Sequence, residues 1–348
     1  MTPHLDIYVG TAGHSAWFSD DLGQTWIHPN SQSGMYLEAR VWAISTHPQQ
    51  PNLLYAGTDM GVFCWSESAA RWTHLDSPMA DVWAIIQDPE DPRVLFAGTR
   101  PAGFYRSNDA GITWADVSVP GIQLFSEINM GPTRVTQFLF DPIDRSTLWA
   151  TVEIGGIYRS LDKGSTWTLQ VDGLVSSDIH GIAVIRDAEG KKMVFASTNR
   201  GLHRSRDNGE SWTFQALDSP WQYTRAITPQ CGNDCTLFLT NGNGPPGSTG
   251  RLLRSQDYGD TWQPMQLPGA LNSTPWCIST NPYDPMLIFM CTNLGQLFRS
   301  IDGGDNWARL PHEFGEVRAL HWRPTEYPAS RPGHSVTVRP LVVSINAT

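Results

Sequence analysis

The sequence is poor in charge and in cysteine, and no run of 18 apolar residues occurs in it. Charged residues make up 17% of the 348 positions, with 24 Lys and Arg against 34 Asp and Glu, a formal charge of −10. Nowhere is there a block of Lys or Arg. An acidic chain without a basic stripe lacks the phosphate attraction that nucleic-acid binders use, so neither nucleic acid nor an anionic membrane is expected as a partner. The absence of a long apolar run predicts no membrane-spanning helix. The start, Met1 to Asp6, has no basic segment followed by an apolar one, so no secretory leader is read there and a cytoplasmic location is expected. Five cysteines, an odd count without framework spacing, do not make a disulfide scaffold. Cys231 and Cys235 are the one close pair, readable as a bridge, as half a metal site or as two free thiols. H-x-E, HExxH and paired CxxC spacings are all missing, so neither metal nor cofactor is predicted. No nucleophile-elbow signature for Ser-His-Asp chemistry occurs.

Turn formers and aromatics are plentiful: 31 Gly, 25 Pro and 15 Trp. That composition fits many short strands joined by tight turns. One octamer recurs, at Ser19–Trp26, Ser107–Trp114, Ser160–Trp167, Ser205–Trp212, Ser255–Trp262 and Ser300–Trp307, with a worn copy at Ser66–Trp72 that lacks both the Asp and the Gly. Intact copies lie 45 to 53 residues apart, except for one gap of 88 that contains the worn copy. Before each octamer stands an apolar run ending in small residues, such as Leu95-Phe-Ala-Gly-Thr. Earlier in each unit comes a third segment, such as Val82-Trp-Ala-Ile. Each unit thus reads strand A, turn, strand B, Gly turn, strand C, octamer turn, strand D. Four short strands repeated seven times predict an all-β, seven-bladed β-propeller, with residues 1–348 as one domain.

The octamer has a mechanical reading. Its Asp accepts bonds from backbone N–H groups within the turn. Its Gly adopts a positive φ. Its Trp opens strand D and packs between blades. These residues resemble the Asp-box (BNR) signature of sialidases, sortilin-type receptors, xyloglucanase propellers and a photosystem assembly factor. The resemblance implies a propeller in which the box is structural, so Asp21, Asp109, Asp162, Asp207, Asp257 and Asp302 are expected to be scaffold. Sialidase propellers have six blades and an Arg-Ile-Pro motif, neither of which fits this chain, and xyloglucanases pair two propellers where one fits here.

The chain begins at a strand B (Ile7-Tyr-Val-Gly-Thr) and reaches its seventh strand A at Val317. The last blade is expected to join the two ends, which removes an open edge. Leu341-Val-Val-Ser-Ile also reads as a strand B, so which segment closes the ring is left open by the sequence.

In a propeller, strand A lines the channel. Counting from each box gives two positions per blade near one mouth. The residue before the strand is Arg40, Asp81, Arg134, Asp178, Tyr223, Thr274 or Glu316, and the second strand residue is Trp42, Trp83, Thr136, His180, Arg225, Trp276 or Arg318. A structural repeat could use one residue type seven times, whereas these positions gather four Arg, carboxylates, His, Tyr and three Trp. Unpaired buried charge is costly, so the groups are expected to pair with each other or with a ligand. Glycoside hydrolysis would use two carboxylates about 5–9 Å apart, drawn from Asp81, Asp178 and Glu316, with Trp42, Trp83 and Trp276 stacking on sugar rings. Proton abstraction would use His180 with Tyr223, flanked by Arg225 and Arg134, and the resemblance to sialidases implies an arginine triad for a substrate carboxylate, drawn from Arg40, Arg134, Arg225 and Arg318. The expected ligand is a saccharide or an aromatic acid, handled by a hydrolase or a lyase. The alternative is a non-catalytic scaffold that presents the same face to a protein partner. Irregular loops over that mouth, Ser31–Ala39, Val117–Thr133 and Asn241–Gly250, are where binding residues commonly sit.

Overall fold

The computed structural model describes residues 5–126 and 131–325. Their strands form seven antiparallel sheets arranged in a ring, a seven-bladed β-propeller, and the one helical element is a 3₁₀ turn at Ser31–Ser33. Blades 1 to 6 have four strands each, with strands A starting at Val41, Val82, Arg134, Ile179, Tyr223 and Pro275. Strand B of each blade is buried on both faces, as in Leu95–Thr99 and Ile288–Thr292, because every blade packs between two others. Aromatic side chains fill those spaces: Trp167 of blade 3 lies 4.9 Å from Phe104 of blade 2.

Blade 7 is made from both ends of the chain. Val317–Pro324 pairs with Leu5–Thr11, which pairs with Ala16–Ser19, and a single bridge from Phe18 to Ile27 marks the fourth edge. The segment around Ile7 therefore takes the strand B place, and Leu341–Ile345 lies outside the described residues. A buried ion cluster locks this seam to blade 1. Arg323, 1% exposed, pairs with Glu67, lies 3.6 Å from Asp6 and donates to the Pro51 carbonyl. Tyr8 donates to Asp6 at 3.1 Å from beneath the guanidinium.

The octamer turns share one set of bonds. Ser160 Oγ accepts the Gly164 N–H at 2.7 Å and donates to Asp162 Oδ1 at 2.7 Å. Asp162 also accepts the Thr166 N–H at 2.8 Å and its hydroxyl at 2.7 Å. The same network recurs at Ser19, Ser107 and Ser255, at Ser205 with Ser211 replacing Thr, and at Ser300 with Asn306 replacing it. Gly164 has φ +80°, and a Cβ there would stand 2.4 Å from Phe96 of the preceding blade. Conformation and inter-blade contact both exclude a side chain at that site. The boxes are occupied with holding their own turns.

The regular pairing of strands A and B breaks near the start of strand A in every blade, and in blade 5 a second time between Pro229 and Gln230. Val41 pairs with Thr58 and Ala43 with Gly57, which skips Trp42. The skipped residues in blades 2, 3, 4 and 6 are Trp83, Thr136, His180 and Trp276. In blade 5 the break takes in Arg225 and Ala226, and in blade 7 it takes in Arg318. These are β-bulges, which leave one residue outside the ladder and re-aim its side chain.

Two outcomes are expected. Arg323→Met strands Asp6 and Glu67 without their cation and should lower unfolding stability by about 3 kcal/mol, read by chemical denaturation. Burial works to raise the pKa of Asp162, but the Thr166 and Ser160 bonds outweigh it and hold the carboxyl below its ordinary 3.8. The folded value lies below the unfolded one, so this stabilisation is complete above the ordinary value and is lost as pH falls through the folded one. Thermal midpoints should drop on acidification below about pH 4, and Asp162→Asn should flatten that drop.

Candidate functional site

The seven bulges deliver their side chains to the central channel, where a cavity of about 330 Å³ is lined by six of them, Trp42, Thr136, His180, Arg225, Trp276 and Arg318, together with the residues that follow on each strand. Trp83 stands behind, stacked on Trp42 with ring centroids 4.0 Å apart and planes 12° from parallel. Guanidinium groups continue the stack. Arg134 lies 4.2 Å over Trp83, Arg225 lies 4.1 Å over Trp276, and Arg318 lies 5.0 Å from Trp276 and 5.9 Å from both Trp42 and Trp83. Arginine and tryptophan thus form a belt around the axis, held by cation–π contact.

Carboxylates partner the belt unevenly. Glu153 accepts two bonds from Arg134, at 2.5 and 2.7 Å, and lies 3.9 Å from Arg225. Asp178 stands 3.3 Å from His180 Nε2, while His180 Nδ1 lies 2.6 Å from the Thr224 carbonyl. Glu316 pairs with Arg318 from a half-exposed position. Asp81, at a left-handed φ of 30°, accepts the Trp42 indole N–H at 2.8 Å. Tyr223, its ring 5.0 Å from His180, has a buried hydroxyl without a hydrogen-bond partner in the structure.

The charge balance differs along the belt. Burial opposes the Arg225 cation, but Tyr223, Glu153 and Asp178 outweigh it and raise its pKa. Arg134 ends below its ordinary value, through burial first, with Glu153 opposing and Arg225 adding to the fall. Arg318 is pushed down to about 9 by burial and then by the charges of Arg225 and Arg134. Glu316 pairs with Arg318 from its half-exposed position, and Glu153 and Cys277 oppose the fall without cancelling it, while the Arg318 Nε is buried without a partner. Burial would raise Asp178, yet the bond with His180 and the nearby arginines hold it below 3.8.

Most of the residues singled out from the sequence meet here, and two do not: Thr274 is buried and donates to the Gly244 carbonyl at 2.7 Å, and Arg40 lies apart. Arg40 is exposed, and its backbone N–H, not its side chain, is engaged, with Asp59 at 3.0 Å. Arg100 supplies a further positive charge to the belt in its place, acting on Arg134 from the end of strand B in blade 2. Arg100 and Glu153 occupy equivalent positions, just past the small-residue turn of strand B. The variety there (Asp59, Arg100, Glu153, Asn199, Asn293) is a signal comparable to that of strand A. Cys231 and Cys235 are free thiols. Among the described residues no His, Cys, Asp and Glu cluster suits a metal ion, and no helix is long and apolar enough to cross a membrane.

No protein-family model matches the chain, and no curated protein is similar to it in sequence. Solved structures resemble it in fold. The GH74 xyloglucanase from Xanthomonas campestris superposes with a TM-score of 0.66 at 18% identity, over 93% of this chain and 53% of that one, so the chain spans about half the enzyme's length. YCF48 from Cyanidioschyzon merolae gives 0.52 at 16% identity, over 78% of this chain and 85% of that one. YCF48 bound to a D1 peptide gives 0.53 at 12% identity, over 77% and 81%. At such identities the likeness establishes one thing, a seven-bladed propeller fold that this chain has in common with a GH74 xyloglucanase and with YCF48.

Proposed function

We propose that the channel mouth binds a small anion, a sugar acid or an aromatic carboxylate, with Arg318 and Arg225 on its carboxylate and Trp276 and Trp42 against its ring. The observation that carries this reading is Arg318. It is a buried guanidinium repelled by two others, with an unmatched Nε, beside a cavity of about 330 Å³. A carboxylate placed there supplies the missing negative charge and takes bidentate bonds that a guanidinium fork is shaped to give. The cavity lies within the range of small-molecule sites.

Binding is favoured over turnover by the state of the acid–base groups. A general acid for glycoside cleavage needs a raised pKa, and Asp178 is displaced the other way. Both nitrogens of His180 already face acceptors. A hydrolase or lyase in this channel would have to rearrange those pairs on substrate binding.

A protein partner on the same face is the second reading. It is favoured by large apolar side chains exposed on the loops around the mouth, Tyr36 and Phe125 foremost at 62% and 61% exposure.

The test is a thermal-shift and calorimetric screen with uronic acids and substituted benzoates. Arg225→Met and Arg318→Met are each expected to weaken binding about 10- to 100-fold, the worth of a lost charge-assisted bond. Binding that survives both changes contradicts the reading. Binding of a peptide that is lost in Tyr36→Ser and Phe125→Ser but not in the arginine variants would favour the protein partner.

Arg318→Met is also expected to raise the thermal midpoint of the ligand-free protein, because it removes a repelled buried charge kept for binding. A lower midpoint would show that Arg318 serves the fold.

A further inference from the structure

Cys277 follows the bulge at Trp276, and its ladder partner on strand B is Cys291. Directly paired residues of an antiparallel ladder share a face, with Cα atoms about 4.5–5.5 Å apart, inside the ~4.4–6.8 Å that a disulfide spans. Both thiols are free. Cys291 is fully buried, whereas Cys277 is partly exposed and lines the channel cavity with Arg225 and Arg318. Its Sγ lies 3.5 Å from the Arg318 carbonyl, to which the thiol donates a hydrogen bond. The bond with Cys291 lowers the Cys277 pKa against the effect of burial, and Arg225 and Arg318 lower it further. Cys64 is the contrast: burial pushes its thiol up to about 12, with no arginine among the groups acting on it. Burial likewise raises Cys231. A paired, cation-flanked thiol that opens into a cavity is the setting of a reactive cysteine with its resolving partner.

We propose that Cys277 is an oxidisable thiol of the channel that takes a small hydroperoxide, with Cys291 resolving the product to a disulfide. The Cys277 thiolate attacks the terminal peroxide oxygen. The O–O bond breaks, a sulfenic acid forms on Cys277, and the leaving hydroxide or alkoxide takes up a proton. The Cys291 sulfur then attacks the Cys277 sulfur, the S–O bond breaks, and water leaves carrying the Cys291 proton. Two thiols have lost two electrons and one peroxide has gained them. Arg225 and Arg318 stand where the leaving oxygen develops charge. The step shares the cavity of the proposed anion site but needs no anion bound, so its failure leaves that reading untouched.

The experiment treats the full chain, free of ligand, with hydrogen peroxide, alkylates the remaining thiols and maps peptides without reduction. The expected product is a Cys277–Cys291 linked peptide and a protein lighter by two hydrogens. In Cys291→Ser, dimedone should label Cys277, and Cys291→Ala serves equally if the serine variant fails to fold. At neutral pH, iodoacetamide should modify Cys277 at least about tenfold faster than Cys64. Cys277 remaining a free thiol while Cys231 or Cys235 is oxidised would overturn the proposal, as would equal labelling rates at Cys277 and Cys64.

Discussion

The hydrogen-bond register between strands A and B decides where every channel side chain points. A blade is packed on both faces, so a regular ladder commits alternate residues to one neighbour or the other. A bulge releases one residue from that alternation. All seven blades place the release within the first residues of strand A, and the released positions carry Trp42, Trp83, Thr136, His180, Arg225, Trp276 and Arg318. The scaffold is thereby separated from the site. Octamer turns, buried strands B and the Arg323 seam hold the ring, and the bulges turn seven side chains of differing chemistry toward the axis.

Electrostatics then gives the belt its character. Arg134 and Arg225 share Glu153, and Arg225 gains further from Asp178 and Tyr223. Arg318 receives its counter-charge from a half-exposed glutamate and lies beside two other cations. Stacking on Trp276 compensates in part, since aromatic faces attract a guanidinium. A fully paired ring would be a plug. A ring with one under-compensated cation next to a cavity has the makings of an anion site, and Cys277 lines that cavity with Arg225 and Arg318.

Much of this was legible in the sequence because the octamer repeats. Its spacing located every strand A, and the mixed residues at Asp178, His180, Arg225 and Arg318 stood out against a repeating background. The closing strand was ambiguous because two segments had the right apolar pattern, and only the pairing of Leu5–Thr11 with Val317–Pro324 resolves it. Arg40 was grouped with the site because it holds the same position before strand A as Arg134, Asp178 and Glu316. The Arg40 side chain is nonetheless exposed, which its place in the repeat does not encode. Glu153 and Arg100 went unnoticed because the comparison of blades was made at the start of strand A, whereas they stand at the end of strand B. The pairing of Cys277 with Cys291 depends on the register across one bulge, which no pattern of apolar residues encodes.

The central claim is that the under-compensated Arg318, aimed by its bulge, makes the channel an anion site. Diffraction from a crystal soaked in 4-bromobenzoate tests it most directly, since bromine scatters anomalously. The account predicts a single bromine peak in the channel, with the ring against Trp276 or Trp42 and the carboxylate within hydrogen-bond distance of the Arg318 guanidinium. An empty channel at saturating ligand, or a carboxylate turned away from Arg318, would contradict it.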